Sequence, residues 1–305
     1  MKHSFFSGDG NWYKGNLHAH TTESDGMQTP EERVKAYRSK GYSFLAITDH
    51  NVFASYPEFC GTDFIVLPAT ERDIPDLSKP HAFIHAVGLS EQEIGLKTKE
   101  QLVSYAKVQP DKDWQQLLDE MRQSGQLVII AHPVWSRMTV EQLLSLQGYI
   151  GIEIYNTDCD RGCYTGKSDY IIDCCLRAGK RALLFASDDC HGITGDLFGG
   201  WIMVKAQELT HNEIIKQIQS GNFYASTGPE IYDFGMDDEN NLYIECSPCE
   251  SINFIAYETL GSSIVKTGVT EGMYPLKGTE TFVRCECVDR YGKISYTNPV
   301  FLNQP

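Results

Sequence analysis

From about residue 15 to about residue 225, short β-rich apolar runs alternate with amphipathic stretches, the pattern of βα units around a parallel sheet or barrel. The runs are NLHAH, SFLAIT, FIVLPAT, HAFIHAVGL, LVIIAH, IGIEIY, ALLFAS and GWIMV. Helix signals fall between them. Thr29-Pro30-Glu31-Glu32 offers an N-cap, a proline at the first helical position and a capping-box glutamate, and Gly41 supplies a stop. Thr210 with Glu213 repeats the device, Ile214, Ile215 and Ile218 form the apolar stripe, and Gly221 ends it. Asp113 to Gly125 and Ser168 to Gly179 read the same way.

After Ser226-Thr227-Gly228-Pro229 the pattern changes to short alternating segments, LYIEC, INFIAYE, TFVRCEC and ISYTNPVFL, separated by Gly, Asn and Asp turns. This predicts a small antiparallel, β-sandwich-like domain over 228–305 behind a first unit over 1–227. A 305-residue chain fits one large core plus a small appended one, because single cores stop growing near ~250–300 residues.

Charge narrows the function. With 26 Lys+Arg against 41 Asp+Glu the net charge is −15, which repels a polyanion, so no nucleic-acid polymer is expected as partner. No window approaches the ~18 apolar residues of a membrane span, and the amino terminus lacks the apolar run of a secretion signal. Ten scattered cysteines read as reduced thiols, consistent with an expected cytoplasmic location. The sequence contains no Walker loop, GxSxG elbow or GxGxxG fingerprint.

Candidate chemistry gathers at the ends of the β-rich runs, where barrel enzymes assemble their sites. His18 and His20, at i and i+2, leave one face of a strand, and Asp25 follows in the next turn. Asp49-His50, Glu71 and His132-Pro133 each close a further run, and Asp188, Asp189 and His191 close another. A lone strand histidine is commonly a hydrogen-bonded structural residue. Convergence of so many possible ligands on separate strand ends points instead to a metal centre, and mixed N/O donors suit Zn²⁺, Mn²⁺ or Fe²⁺ alike. Arg72 and Arg137 are candidates, by position, for orienting a phosphate, and either a histidine of the cluster or Asp188 for protonating a leaving group. Cys246-x-x-Cys249 with Cys285-x-Cys287 could in principle bind zinc, but the spacing better fits thiols packed as small apolar residues.

The order His-x-His, Thr-Asp-His-Asn, a strand ending in Glu, Ala-His-Pro, then Asp-x-His resembles the PHP (polymerase and histidinol phosphatase) superfamily over roughly residues 15–225. The resemblance implies an α/β fold, a distorted seven-stranded β/α barrel, holding two or three divalent ions (Zn, Mn or Fe). It also implies the ligands His18, His20, Asp25, His50, Glu71, His132, Asp189 and His191, with Glu71 bridging two ions. A ninth ligand is expected at His85, with His81 on the same strand face as the alternative. Asp49 is expected to orient His50. The implied activity is that of a metal-dependent hydrolase, a phosphoesterase acting on a small phosphorylated metabolite. The stretch from FGGWIMVKAQELT through GNFYASTGPEI, with the later SYTNPVFL, resembles a subgroup whose barrel is followed by a small β-domain and some of whose members are described as carbamate hydrolases, which keeps carbamate or amide hydrolysis as an alternative. A non-catalytic ligand- or partner-binding barrel is the other. Oligomeric state is not legible.

Overall fold

The computed structural model describes residues 1–75, 83–94, 103–104, 113–192, 195–256 and 262–302. Among these, eighteen strands and six α-helices form an α/β fold. In chain order they are β1 (Lys2–Ser4), β2 (Asn11–Asn16), α1 (Pro30–Ser39), β3 (Phe44–Ile47), β4 (Val52–Phe53), β5 (Ile65–Pro75), β6 (Phe83–Ser90), β7 (Val103–Ser104), α2 (Trp114–Gln123), β8 (Gln126–Ile130), α3 (Val140–Ser145) and β9 (Gly151–Asn156). There follow α4 (Thr157–Cys163), α5 (Asp169–Arg177), β10 (Leu183–Ser187), β11 (Trp201–Ala206), α6 (His211–Ser220), β12 (Phe223–Ser226), β13 (Ile231–Asp237), β14 (Asn241–Ala256), β15 (Ser262–Pro275), β16 (Phe282–Val288), β17 (Ile294–Thr297) and β18 (Val300–Phe301). No described helix is long and apolar enough to cross a membrane.

The helix signals act as the sequence predicts. Thr29 and Glu32 form a reciprocal capping box at α1, Asp113 and Gln116 form one at α2, and Thr210 caps α6. Gly221 ends α6 in the left-handed region at φ 76°, which glycine adopts without steric cost. Ser168 starts α5 without a side-chain cap bond. Ile172, Cys175 and Leu176 of that helix are buried.

Seven strands run in the order β2-β3-β5-β6-β8-β9-β10. The pairs β2–β3, β3–β5, β8–β9 and β9–β10 are parallel, whereas β6 is antiparallel to both its neighbours. The uniformly parallel arrangement expected from the sequence therefore fails at β6. The physical reason is connection length: only residues 76–82 separate β5 from β6, and a parallel crossover needs about a dozen residues or more. Beyond the named strands, a parallel bridge between Ala19 and Cys190 links the two ends of this run, and another joins His50 to Glu71. The largest apolar core packs against these strands, with Phe44, Leu67, Ile130, Ile152 and Leu184 among its fully buried members.

β11 pairs antiparallel with β2 and continues the sheet through β12, β17, β16, β14 and β13. The strands after residue 228 are antiparallel throughout and enclose a second core that contains Cys246, Cys249, Cys285 and Cys287. The chain's first residues also belong there. β1 pairs with β13, and Phe6 is buried in that core, whereas the sequence analysis grouped them with the first unit.

Candidate metal centre

His18 and His20 follow β2, held in place by the Ala19–Cys190 bridge, and both imidazoles are fully buried. The Nδ1 of His18 lies 2.8 Å from Glu153 Oε1, so its Nε2 turns to Glu71 Oε1 and Asp189 Oδ1, each 3.1 Å away. His20 Nε2 lies 2.9 Å from Asp189 Oδ1 and 3.2 Å from Glu71 Oε2. Asp25 reaches the same ring at 3.6 Å from Nδ1, carried by a turn whose Gly26 sits against the His20 backbone.

Glu71 stands at the centre. Besides His18 and His20, its carboxylate lies 3.0 Å from His50 Nδ1, 3.0 Å from His85 Nδ1 and 3.3 Å from His132 Nε2. His191 completes the other side: its Nδ1 donates to the Asp189 carbonyl at 2.8 Å, which leaves Nε2 free to face Asp25 at 3.6 Å. Two of the contributing residues carry unusual backbone conformations, His132 at φ 24° and Asp189 at φ 55°. Such left-handed geometry in non-glycine residues is commonly retained at functional sites.

All nine residues expected as ligands thus come together, His85 included; His81 lies outside the described residues. The donors fall into overlapping groups whose possible ligand atoms lie within 4.8 Å of one another. One contains His18, His20, Glu71 and Asp189, a second His20, Asp25, His50 and His191, and a third His50, Glu71, Asp73 and His85. The unprotonated nitrogen of a neutral imidazole and a carboxylate oxygen are both acceptors, so contacts near 3 Å between them require a proton or a cation. His18 Nε2 and Glu71 Oε2 are buried with no partner in hydrogen-bond geometry. This donor set fits divalent cations.

The electrostatics without metal agree. Burial disfavours charge on His18, but Asp189, Glu71 and Glu153 outweigh it and hold its pKa well above the usual value. For His20 the same opposition, won by Asp189 and Glu71, raises the pKa to about 10. Glu71 and Asp189 are held well below the ordinary carboxylate range, because neighbouring imidazoliums overcome the effect of burial. Burial, reinforced by Asp189 and Asp196, pushes the Asp158 carboxyl up to about 6.

The residues expected to assist lie elsewhere. Asp49 does not orient His50: its carboxylate accepts from Thr21 N and Oγ1 and from Ser24 Oγ, fixing the turn that carries Asp25. The partner of His50 is Asp73, 2.7 Å from Nδ1. Asp188 is fully buried and accepts from Tyr37, Thr157 and the backbone amides of Phe198, Gly199 and Gly200, so it anchors the loop beside Asp189, and it does not line the cavity over the cluster. Arg72 alternates with Glu71 along β5 and is buried on the opposite face. Arg137 is exposed and does not line the cavity over the cluster. That cavity, about 330 Å³, is lined by residues of the cluster, Asp25, His50, His85, His132, Asp189 and His191, together with Trp135, Asp158 and Cys159.

Sequence reasoning missed Asp73, Glu153, Trp135 and Asp158. Glu153 carried a signal, a lone carboxylate inside the otherwise apolar strand Gly151–Asn156. Asp73 lies two residues beyond Glu71 and shares its strand face, which the same alternation argument would have found.

An α/β scaffold that carries a cluster of imidazoles and carboxylates at strand ends has the donor set that divalent cations take. The PHP domain model matches residues 16–172, and the chain belongs to the PHP domain family. No curated protein matches it. Among solved structures, a two-domain Bacteroides vulgatus protein containing a predicted PHP-like metal-dependent phosphoesterase is 13% identical, with a TM-score of 0.49 over 95% of this chain and 96% of that one. A Bifidobacterium adolescentis protein described as a metal-dependent phosphoesterase is 17% identical, with a TM-score of 0.43 over 60% of this chain and 90% of that one. An amidohydrolase from Chromobacterium violaceum, with bound sulfate and no metal, is 15% identical, with a TM-score of 0.44 over 68% and 96%. These likenesses are remote, and the family assignment rests on the domain match.

Proposed function

We propose that the protein is a metal-dependent phosphoesterase that releases phosphate from a small phosphorylated metabolite. The observation that carries the reading is Glu71, a buried carboxylate shared by five imidazoles in a cavity-lined site. Its two oxygens serve more than one donor group, as a bridging carboxylate does. In this reading the seven strands from β2 to β10 act as a distorted barrel. One divalent ion would be held by His18, His20, Glu71 and Asp189, a second by Glu71, His85 and His132, and a third by Asp25, His50 and His191.

Such ions supply Lewis acidity toward phosphoryl oxygens and lower the pKa of a water nucleophile. The chain's own residues set the arrangement. Glu153 holds the proton of His18 at Nδ1, and the Asp189 carbonyl holds that of His191 at Nδ1, so both rings present Nε2 inward. Asp158 lines the cavity and has the position to hand a proton to a leaving group.

The test is turnover by metal-loaded protein on p-nitrophenyl phosphate and on an aryl carbamate. Phosphoester turnover is expected; turnover confined to the carbamate would assign the site to carbamate hydrolysis instead. Inertness on both, with stoichiometric metal still bound, would favour a binding role.

A further inference from the structure

Trp135 is the one exposed large hydrophobic residue, among those described, that lines the cavity over the cluster. It is 37% exposed. Its ring centroid lies 4.9 Å from that of His132 and 5.4 Å from that of His85, so the indole borders two of the imidazoles gathered around Glu71 Oε1.

The position is rigid. Backbone bonds from Ser136 to His132, from Arg137 to Val134 and from Met138 to Pro133 close a tight turn around it, and Met138 anchors that turn in the core. An indole kept partly in water by a locked turn costs apolar hydration that a smaller or polar residue would avoid. The cost is offset when a bound group covers it. The cavity of about 330 Å³ is far larger than a phosphoryl group fills, so the leaving group also lies within reach of this wall.

Building on the phosphoester reading above, we propose that Trp135 is a stacking wall for the leaving group and sets the substrate class: esters of planar aromatic groups, aryl or nucleobase-bearing, over small alkyl esters. The indole's broad face accepts any planar π-system without hydrogen-bond readout, which makes the preference one of shape and polarisability rather than of a particular base.

Calorimetric titration of the metal-loaded protein with benzohydroxamate and acetohydroxamate tests this without phosphorus in the ligand. Wild type is expected to favour the aromatic member about 5- to 150-fold, the range that aromatic stacking contributes. Trp135→Ala should lose the preference and Trp135→Phe should keep most of it. Equal affinities in wild type, a preference that survives in Trp135→Ala, or one lost in Trp135→Phe would overturn the proposal. The same titration with phenylphosphonate and methylphosphonate separates the two readings: if neither phosphonate binds while the hydroxamate preference holds, the phosphoester reading fails and the aromatic wall stands.

Discussion

The Nδ1 of His18 is tied to Glu153 Oε1 at 2.8 Å behind the site, and this bond decides which nitrogen the ring offers inward. Glu153 also accepts from the His132 amide at 2.9 Å, so one buried carboxylate positions two histidines of the cluster that follow different strands. Glu153→Gln keeps the volume, removes the charge and places an amide N–H among groups that already donate. We predict about a 10- to 100-fold loss of metal affinity, measured by competition with a chelator. Wild-type affinity in the variant would show that the bond has no bearing on ligation.

Asp188 gathers five donors in the core, two hydroxyls and three backbone amides. Asp188→Ala leaves them without their acceptor, each buried orphan costing ~1–3 kcal/mol. The melting temperature should fall by on the order of 10 °C. An unchanged melting temperature with lost turnover would return Asp188 to the catalytic role that its position in the sequence suggested.

A Cβ on Gly26 would lie 2.5 Å from the His20 carbonyl carbon and 2.6 Å from its oxygen, closer than real contacts allow. Gly26→Ala must therefore displace the turn that carries Asp25. The expected result is selective weakening of the ion nearest Asp25, His50 and His191, with one fewer ion per chain by elemental analysis after dialysis. Full metal content would contradict it.

Metal-free protein carries its own pH signature. His20 titrates at an ordinary 6.5 in the unfolded chain and at about 10 in the fold, so its stabilising contribution is complete below pH 6.5 and vanishes as pH rises through about 10. Glu71 and Asp189 are shifted the other way. Their contribution is present above their ordinary values of 4.5 and 3.8 and is lost as acidification passes through the lowered ones. Thermal melts in chelator should accordingly be highest between pH 4.5 and 6.5 and decline toward pH 10. A melting temperature that climbs across the alkaline range would refute this balance. Added metal competes with the same protons, so its affinity should rise with pH.

Much of the cluster was legible because its histidines and carboxylates terminate β-rich runs, and a strand end is a place that sequence periodicity marks well. His18, His20, Glu71 and His132 are positioned by alternation and by the run's last apolar residue. Long-range partnership is not marked. Asp49 adjoins His50 in sequence, yet the parallel bridge of His50 to Glu71 turns that ring toward β5, where Asp73 waits, while Asp49 points to Thr21. Arg72 fails for the reason that Glu71 succeeds, since adjacent strand residues face opposite sides. Strand direction at β6 was hidden because periodicity is the same in either direction, and the short 76–82 connection was the readable clue. The pairing of β1 with β13 joins residues more than two hundred positions apart, a distance over which local pattern carries no information.

In the proposed phosphoesterase, Glu71 organises the divalent-metal site. Turnover of p-nitrophenyl phosphate by Glu71→Gln, beside wild type loaded with the same metal, tests it most directly. Robust phosphate release is expected from wild type, with at least a ~100-fold loss and reduced metal content in the variant. Comparable turnover in the two proteins would contradict it.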